Sequence, residues 1–521
     1  MTAADAVSVH AEPHTTVIIA GAGISGICAL VQLKRLAGVT DVAVYEKAGE
    51  LGGTWQANRY PGASCDIPIA LYSYSFEPAK EFNTQWPGSE GICAYYNRIV
   101  DKYAVRPSLI FHTVVESASF SRQTGLWTVK IRNVSTGETR TRTCNVFISA
   151  VGALSTPADA PFDVSEYEGK VMHSAEWDDS VSLKDKDVVV LGNGCSAAQL
   201  APAILLEVKS LTQIARAKHC IVPPSWFPDT ALTGALLRYV PGLHTAFRSY
   251  VLNYMEAFFE LTDKDKGAKG RAEIKKFSEK YIDKAAPAKF RDQLKYDFEF
   301  GQKRRVIDFS RYVPALHSPK FDLLLPDTIV SAKGRTVTTQ SGKEVKADVV
   351  VLSTGFKVTD YLFPLKVYNN EGESLVERLK GNGLKTYLTS MVAGYPNFFI
   401  LMGPNSVTGH SSVLWNTEST VLLLLALLKP VFAALSTNKP ADVGPAPTVE
   451  VTQEAEDGWY GRMRAEMGKR VWEMDGGISW YVDPQQGKCT TLFPWGQPEF
   501  KRQTQEAASA KKKGDFIWTG C

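Results

Sequence analysis

Apolar residues along this chain gather into short, β-branched runs that each give way to a helix-periodic segment. Residues 15–20 (TTVIIA) form such a run, and the ISGICALVQLKRL that follows places apolar residues at three- and four-residue spacing. Residues 41–45 are a second run, and VFIS, DVVVLG, residues 211–215 and VVVLSTGF repeat the pattern farther on. Apolar strands alternating with amphipathic helices predict parallel sheets covered on both faces, hence an α/β fold. Between 221 and 303 the pattern changes to helical segments rich in Lys, Phe and Tyr, which predicts a helical insert. The most apolar run, residues 421–428, stops at Lys429-Pro430. It is shorter than the roughly 18 residues a bilayer crossing needs, and predicts a buried core helix with no membrane span.

Two of the strand-to-helix junctions carry chemistry. The first is Gly21-Ala22-Gly23-Ile24-Ser25-Gly26, a GxGxxG that closes a strand and opens a helix. Glycines at these places allow a tight turn, close approach of a pyrophosphate and close helix packing, with free N–H groups facing the phosphates. A lone GxGxxG can be an ordinary glycine turn. Here Glu46 ends the next strand about 20 residues on, where an acid takes ribose hydroxyls. The second junction has Gly192, Gly194 and Ala197, with Cys195 and Ser196 between them. The strand after it ends in Arg216-Ala217-Lys218-His219, with no acid at the ribose position. Two cations there suit a 2′-phosphate and predict NADP rather than NAD, solvated surface charge being the alternative.

Length and charge narrow the class. At 521 residues the chain suits two or three domains, and a net charge of +3 is too balanced to predict a nucleic-acid partner. The N-terminus has neither a basic stretch nor an apolar core, so it predicts no secretory signal. Eight cysteines with no CxxC pair point to thiols in a reducing, cytoplasmic setting and to no metal site.

With both glycine loops identified, the segment YEGKVMHSAEWDD (167–179) can be placed. The chain resembles the class B flavin monooxygenases, most closely the type I Baeyer–Villiger monooxygenases, whose signature F-x-G-x-x-x-H-x-x-x-W-[PD] precedes the second glycine loop. It stands here as Tyr167, Gly169, His173, Trp177 and Asp178, with Tyr for Phe at the first place. GGTWQANRYPGASCD matches the family segment along the flavin, with Gly52, Gly53, Thr54, Trp55, Arg59, Tyr60, Pro61, Gly62 and Asp66, and Tyr72 follows. Gly152 and Gly355 look like the two crossings between nucleotide domains, and residues 395–412, with Gly403 and Asn405, like the return to the flavin. The resemblance covers about residues 15–500.

The resemblance implies two Rossmann-like domains, one for FAD and one for NADP, with a helical insert. The FAD domain would be 1–155 and 375–521, the NADP domain 156–220 and 304–374, and the insert 221–303. It implies that FAD reduced by NADPH captures O2, and that a C4a-peroxyflavin attacks a ketone to give an ester or lactone. Negative charge on the peroxide and the adduct calls for a fixed cation. The family's catalytic arginine lies in a K-R-P triplet, and here the triplet is Lys303-Arg304-Arg305. Arg304 is the catalytic match, Lys303 the match to a second NADP-phosphate clamp, and Asp66 the match to the acid that pairs with the arginine. Arg305 replaces proline, which leaves the turn less rigid. The plainer alternatives are a solvated basic cluster, a turn-forming Asp66 and a turn-forming Asn405. His173 and Trp177 would lie on the linker between domains and hold its geometry.

Related flavin enzymes oxygenate soft nitrogen or sulfur and need no Arg–Asp pair. A disulfide reductase would need a cysteine pair that is absent, and a non-catalytic redox sensor would not need Arg304. The substrate is expected to be a small molecule, an apolar ketone whose identity the sequence does not name. Aromatic residues of the insert (Trp226, Phe227, Tyr239, Phe247, Tyr250, Tyr254, Phe258, Phe259) would either line its pocket or pack the helices.

Overall fold

The computed structural model describes residues 13–82, 84–154, 156–224, 229–309, 311–358, 360–381, 383–437, 444–509 and 514–521. Its fold is α/β, built on two sheets that each start from one of the glycine-closed strands. The first sheet contains β1 (His14–Ala20), β2 (Val42–Tyr45), β3 (Leu109–Ile110), β4 (Thr113–Ser121), β5 (Leu126–Asn133) and β6 (Thr139–Ser149). β1 runs parallel to β2 on one side and to β6 on the other, with Ile19 level with both Val44 and Ile148. Helix α1 (Ile24–Gln32) makes the crossover from β1 to β2. The carboxyl end of β1, where neighbours depart on both sides, is the crevice in which such sheets bind ligands.

The second sheet is wholly parallel. It consists of β7 (Lys170–His173), β8 (Asp187–Leu191), β9 (Ser210–Ile214), β10 (Phe321–Leu324) and β11 (Val349–Leu352), in the order β10-β9-β8-β11-β7. Helix α2 (Cys195–Ile204) opens at the second glycine loop. β8 and β11 read VVV within their runs and are buried along almost their whole length, as strands covered on both faces must be.

Between the two pieces of this sheet lie helices α3 (Ala231–Tyr239), α4 (Leu243–Ala257) and α5 (Ala268–Ala285), the expected insert. A short parallel pair, Ile221–Val222 with Val306–Ile307, closes its neck.

The structure corrects three expectations. Strand Lys366–Tyr368 pairs with β4 of the first sheet, so the chain has returned to that sheet before residue 374, the expected boundary. The segment with His173 is not a linker up to that residue, because Lys170–His173 is the edge strand β7, paired with β11. The apolar run does not stop at Pro430, since helix α6 (Val413–Leu435) passes through it. Pro430 and Ala426, the residue whose carbonyl it cannot meet, are both exposed, so water can serve that carbonyl. Among the described residues α6 is the one helix long and apolar enough to cross a bilayer, and 61% of its most apolar window is buried inside the protein.

Candidate functional site

The first glycine loop has the spatial character its sequence predicts. A Cβ on Gly26 would fall on the carbonyl oxygen of Gly21, so only glycine lets α1 sit this close to β1. At Gly23 the same added atom would meet only the Gly53 backbone, Cα at 3.5 Å and N at 4.0 Å, which is ordinary contact. Glu46 accepts from the backbone N–H of Ala22 at 2.8 Å and of Ala48 at 2.9 Å. A carboxylate has about four lone-pair directions, so two remain for ribose hydroxyls. Thr54 begins the short helix that follows Gly53, and Trp55 Nε1 donates to Tyr72 Oη at 2.9 Å with the rings edge to face.

The second loop is more open. Around a Cβ placed on Gly194 there is nothing within 4 Å, whereas one on Gly192 would strike the Ser353 carbonyl. Ala197 is fully buried. Beyond β9, Arg216 is exposed and makes no ion pair among the described residues. Lys218 Nζ lies 3.4 Å from Asp297 Oδ2, and Lys303 Nζ donates to the Lys218 carbonyl at 3.3 Å. Burial pulls the Lys303 ammonium below its ordinary value, Asp297 opposes this, and Arg216 adds to it. Three cations thus crowd one edge of the loop, where a phosphate would relieve their repulsion. Both loops fit dinucleotides: each offers a helix N-terminus with room for a phosphate.

Tyr60 and Asp66 face this second unit from the first. Tyr60 Oη donates to Gln199 Oε1 on α2 at 2.8 Å, and Gln199 Nε2 donates to the Ser64 carbonyl at 2.9 Å. Asp66 grips Arg304 with both oxygens, Nε to Oδ2 at 3.1 Å and Nη2 to Oδ1 at 2.5 Å. Arg305 also reaches this carboxylate, with Nη1 3.6 Å from Oδ2, and donates to the Gly409 carbonyl at 3.3 Å. Burial pushes the Asp66 carboxyl up, but Arg304 and then Arg305 outweigh it and hold it below the usual carboxylate value. Burial lowers Arg304, but the Asp66 carboxylate outweighs it by charge and hydrogen bond, so its guanidinium is raised well above its ordinary value and stays charged.

The turn that carries these arginines is held at its carbonyls. His219 Nδ1 lies 3.4 Å from the Arg304 carbonyl, and Cys195 Sγ donates to that of Arg305 at 3.5 Å. Burial raises the Cys195 thiol, so it remains protonated and able to donate. The rigidity that proline would supply is provided here by hydrogen bonds.

Gly403 sits where a Cβ would strike the Thr389 carbonyl. Asn405, at φ 57°, directs its Nδ2 to the carbonyls of Cys489 at 2.9 Å and Leu492 at 3.1 Å. Both amide hydrogens are thus taken by the 489–492 segment. In the signature, Tyr167 Oη donates to the Ala347 carbonyl at 2.8 Å, and a Cβ on Gly169 would crowd the Tyr167 ring and the Asp348 carbonyl. His173 Nδ1 accepts from Ala175 N at 3.1 Å, while Nε2 lies buried toward the Gly355 backbone without a hydrogen bond. Trp177 packs on the core of the second unit. Of the insert aromatics, Trp226 and Phe227 lie outside the described residues, and Tyr239 is 74% exposed. Phe247, Tyr250 and Tyr254 follow one another along α4, stacked and then tilted, Phe258 just past its end meets Tyr254 edge to face, and Phe259 lies against His410. Sequence reasoning missed Gln199, Gly409 and Tyr481. Tyr481 is 2% exposed and near enough to Arg304 to feel its charge, and burial pushes its phenol up to about 12.

Two nucleotide-type loops flanking one buried guanidinium–carboxylate cluster define a two-dinucleotide architecture. A family model described as an NAD(P)-binding Rossmann-like domain matches residues 19–85. A Baeyer–Villiger monooxygenase of Streptomyces coelicolor is 33% identical over 96% of this chain and 92% of its own length. Another, from Pseudomonas aeruginosa, is 27% identical over 95% and 90%. A solved steroid monooxygenase bound to NADP has a TM-score of 0.80 at 24% identity, covering 97% of this chain and 99% of that one. A closed structure of cyclohexanone monooxygenase reaches 0.81 at 21%, over 98% and 100%. The chain belongs to the Baeyer–Villiger monooxygenases.

Two outcomes follow from the loops. Gly23→Ala should lose FAD, read as flavin absorbance per protein, yet melt as an apoprotein at the temperature of the parent apoprotein, because its Cβ fits the protein but fills the approach to the pyrophosphate. Gly26→Ala should lower the melting temperature itself. Arg216→Ala should weaken NADPH by about one to two decades, the worth of a charge-assisted hydrogen bond of roughly 1.5–3 kcal/mol, and leave NADH nearly unchanged. Equal loss with both coenzymes would make Arg216 structural.

Proposed function

We propose that this chain is an FAD- and NADPH-dependent monooxygenase that inserts one oxygen atom of O2 beside the carbonyl of an apolar ketone, giving an ester or lactone, with Arg304 as its catalytic cation. The observation that carries the reading is the two-pronged Arg304–Asp66 pair between the two nucleotide loops. Family membership supports the reaction, and a similar chain of Aspergillus niger is named an FAD-binding monooxygenase. We further infer a cytoplasmic setting, in keeping with eight free thiols.

Bound flavin supplies the electrons taken from NADPH and the activation of O2. The residues of this chain supply place and charge. Gly21, Gly23 and Gly26 with Glu46 hold the FAD pyrophosphate and ribose. Gly192, Gly194 and α2 hold NADPH, with Arg216, Lys218 and Lys303 on its 2′-phosphate. Asp66 fixes the plane of the Arg304 guanidinium, so that its charge stands ready where negative charge develops on the attacking oxygen and then on the former carbonyl oxygen. Such preorganised charge needs no reorientation during the step. Oxygen transfer to a soft nitrogen or sulfur develops no such anion, and the pair therefore supports ketone oxidation.

Arg304→Ala should keep FAD and still oxidise NADPH, but lose about two to three decades in ester formation, the usual cost of a missing oxyanion donor. The consumed electrons should be recovered as hydrogen peroxide, measured beside ester by mass. Undiminished ester from this variant would remove Arg304 from the chemistry.

A further inference from the structure

Asp66 is shared by two guanidiniums, and only one of them is accounted for by pairing. Arg304 uses both carboxylate oxygens, which makes a compact neutral pair whose outward field falls off as a dipole. Arg305 brings a second cation to 3.6 Å from Oδ2, with 13% of its side chain exposed. The cluster of Arg304, Arg305 and Asp66 therefore keeps one positive charge uncompensated. The neighbouring Cys195 and Tyr481 are held neutral by burial and do not cancel it.

Arg305 is also where three segments meet. Its Nη1 donates to the Gly409 carbonyl at 3.3 Å, on the segment that returns to the first unit. Its own carbonyl receives Cys195 Sγ from the second glycine loop at 3.5 Å, and its charge holds Asp66 of the first unit. A proline at this place could make neither side-chain contact.

We propose that Arg305 is a positioning residue of the oxygenation site, restoring the net positive charge that the Arg304–Asp66 pair alone would cancel and tying that pair to the Gly409 loop. This deepens the reading of Arg304 above and rests on it. The two roles separate by reach: lysine can supply the charge at this place, but its Nζ ends one bond short of the Nη1 that meets both Asp66 and the Gly409 carbonyl.

The test compares Arg305→Ala, Arg305→Lys and Arg304→Ala by two measurements on the FAD-loaded protein. The first is ester formed per NADPH consumed, with the anaerobic rate of flavin reduction by NADPH beside it. Arg305→Ala should reduce flavin within about twofold of the parent but lose about tenfold in ester per NADPH, and Arg305→Lys should recover at least half of that loss. The second is hydrogen–deuterium exchange across residues 403–412, which needs no turnover. Exchange there should quicken several-fold in Arg305→Ala and stay at the parent rate in Arg304→Ala. Unchanged coupling and unchanged exchange in Arg305→Ala would overturn the proposal while a defective Arg304→Ala left the reading of Arg304 standing. Normal ester from Arg304→Ala would sink that reading first. Equal defects in Arg305→Ala and Arg305→Lys in flavin reduction as well as coupling would make Arg305 a folding residue and also overturn the proposal.

Discussion

The ion pair between Arg304 and Asp66 joins residues 238 positions apart and determines how the two nucleotide units face each other. Taking either charge out of water alone would cost several kcal/mol, so each is tolerable in place only because the other is there. The cost is asymmetric here. Loss of Arg304 leaves Asp66 with Arg305 still 3.6 Å away, so the carboxylate keeps a counter-ion. Loss of Asp66 leaves two guanidiniums facing each other with no carboxylate between them. The carboxylate is therefore the member on which local folding depends, and the arginine the member on which chemistry depends.

Around that pair, the units are fastened by neutral contacts. Tyr60 and Ser64 of the first unit share Gln199 of the second, and a Cβ on Gly62 would come within 2.7 Å of the Gln199 carbonyl. These bonds lie on the outer turn of α2, one helical turn past the glycine loop. Neutral hydrogen bonds of about 1 kcal/mol each are suited to a contact that must hold position without being permanent.

Much of this was legible in the chain because it is local. A β-branched run, three small residues at fixed spacing and an acid or a base at the end of the next strand are all set within some 30 residues, and β1, β2, β8 and β9 begin and end within one residue of expectation. What depends on distant packing was not legible. Gln199 looks like any helix glutamine until Tyr60 is beside it, and Tyr481 carries no spacing that ties it to Arg304. Arg305 reads as the loss of a rigid proline, and its gain, a link from Asp66 to Gly409, exists only in three dimensions. Pro430 misleads for a physical reason: a proline breaks a helix when its missing bond is buried, and this one faces water. His173 misleads because four residues, only the last two of them buried, are enough for an edge strand once β11 is there to pair with, yet too few to give a period of two.

The helical insert, often the place to look for a lid, is here a clamp on both sides of the charged cluster. Arg248 of α4 donates to the carbonyls of Ala70 at 2.7 Å and Ser73 at 2.9 Å, in the stretch just after Asp66. Two turns farther along the same helix, Glu256 meets His410 Nε2 at 2.9 Å, next to the Gly409 that receives Arg305, and its other oxygen accepts Gln497 N at 3.1 Å. One helix thus holds the segment that carries the carboxylate and the segment that carries the arginine's second tether. Any motion of α4 relative to the sheets must pull on Asp66 from one end and on Arg305 from the other. The rings along α4 contact one another in series between those two points, a packing role that does not require a pocket wall.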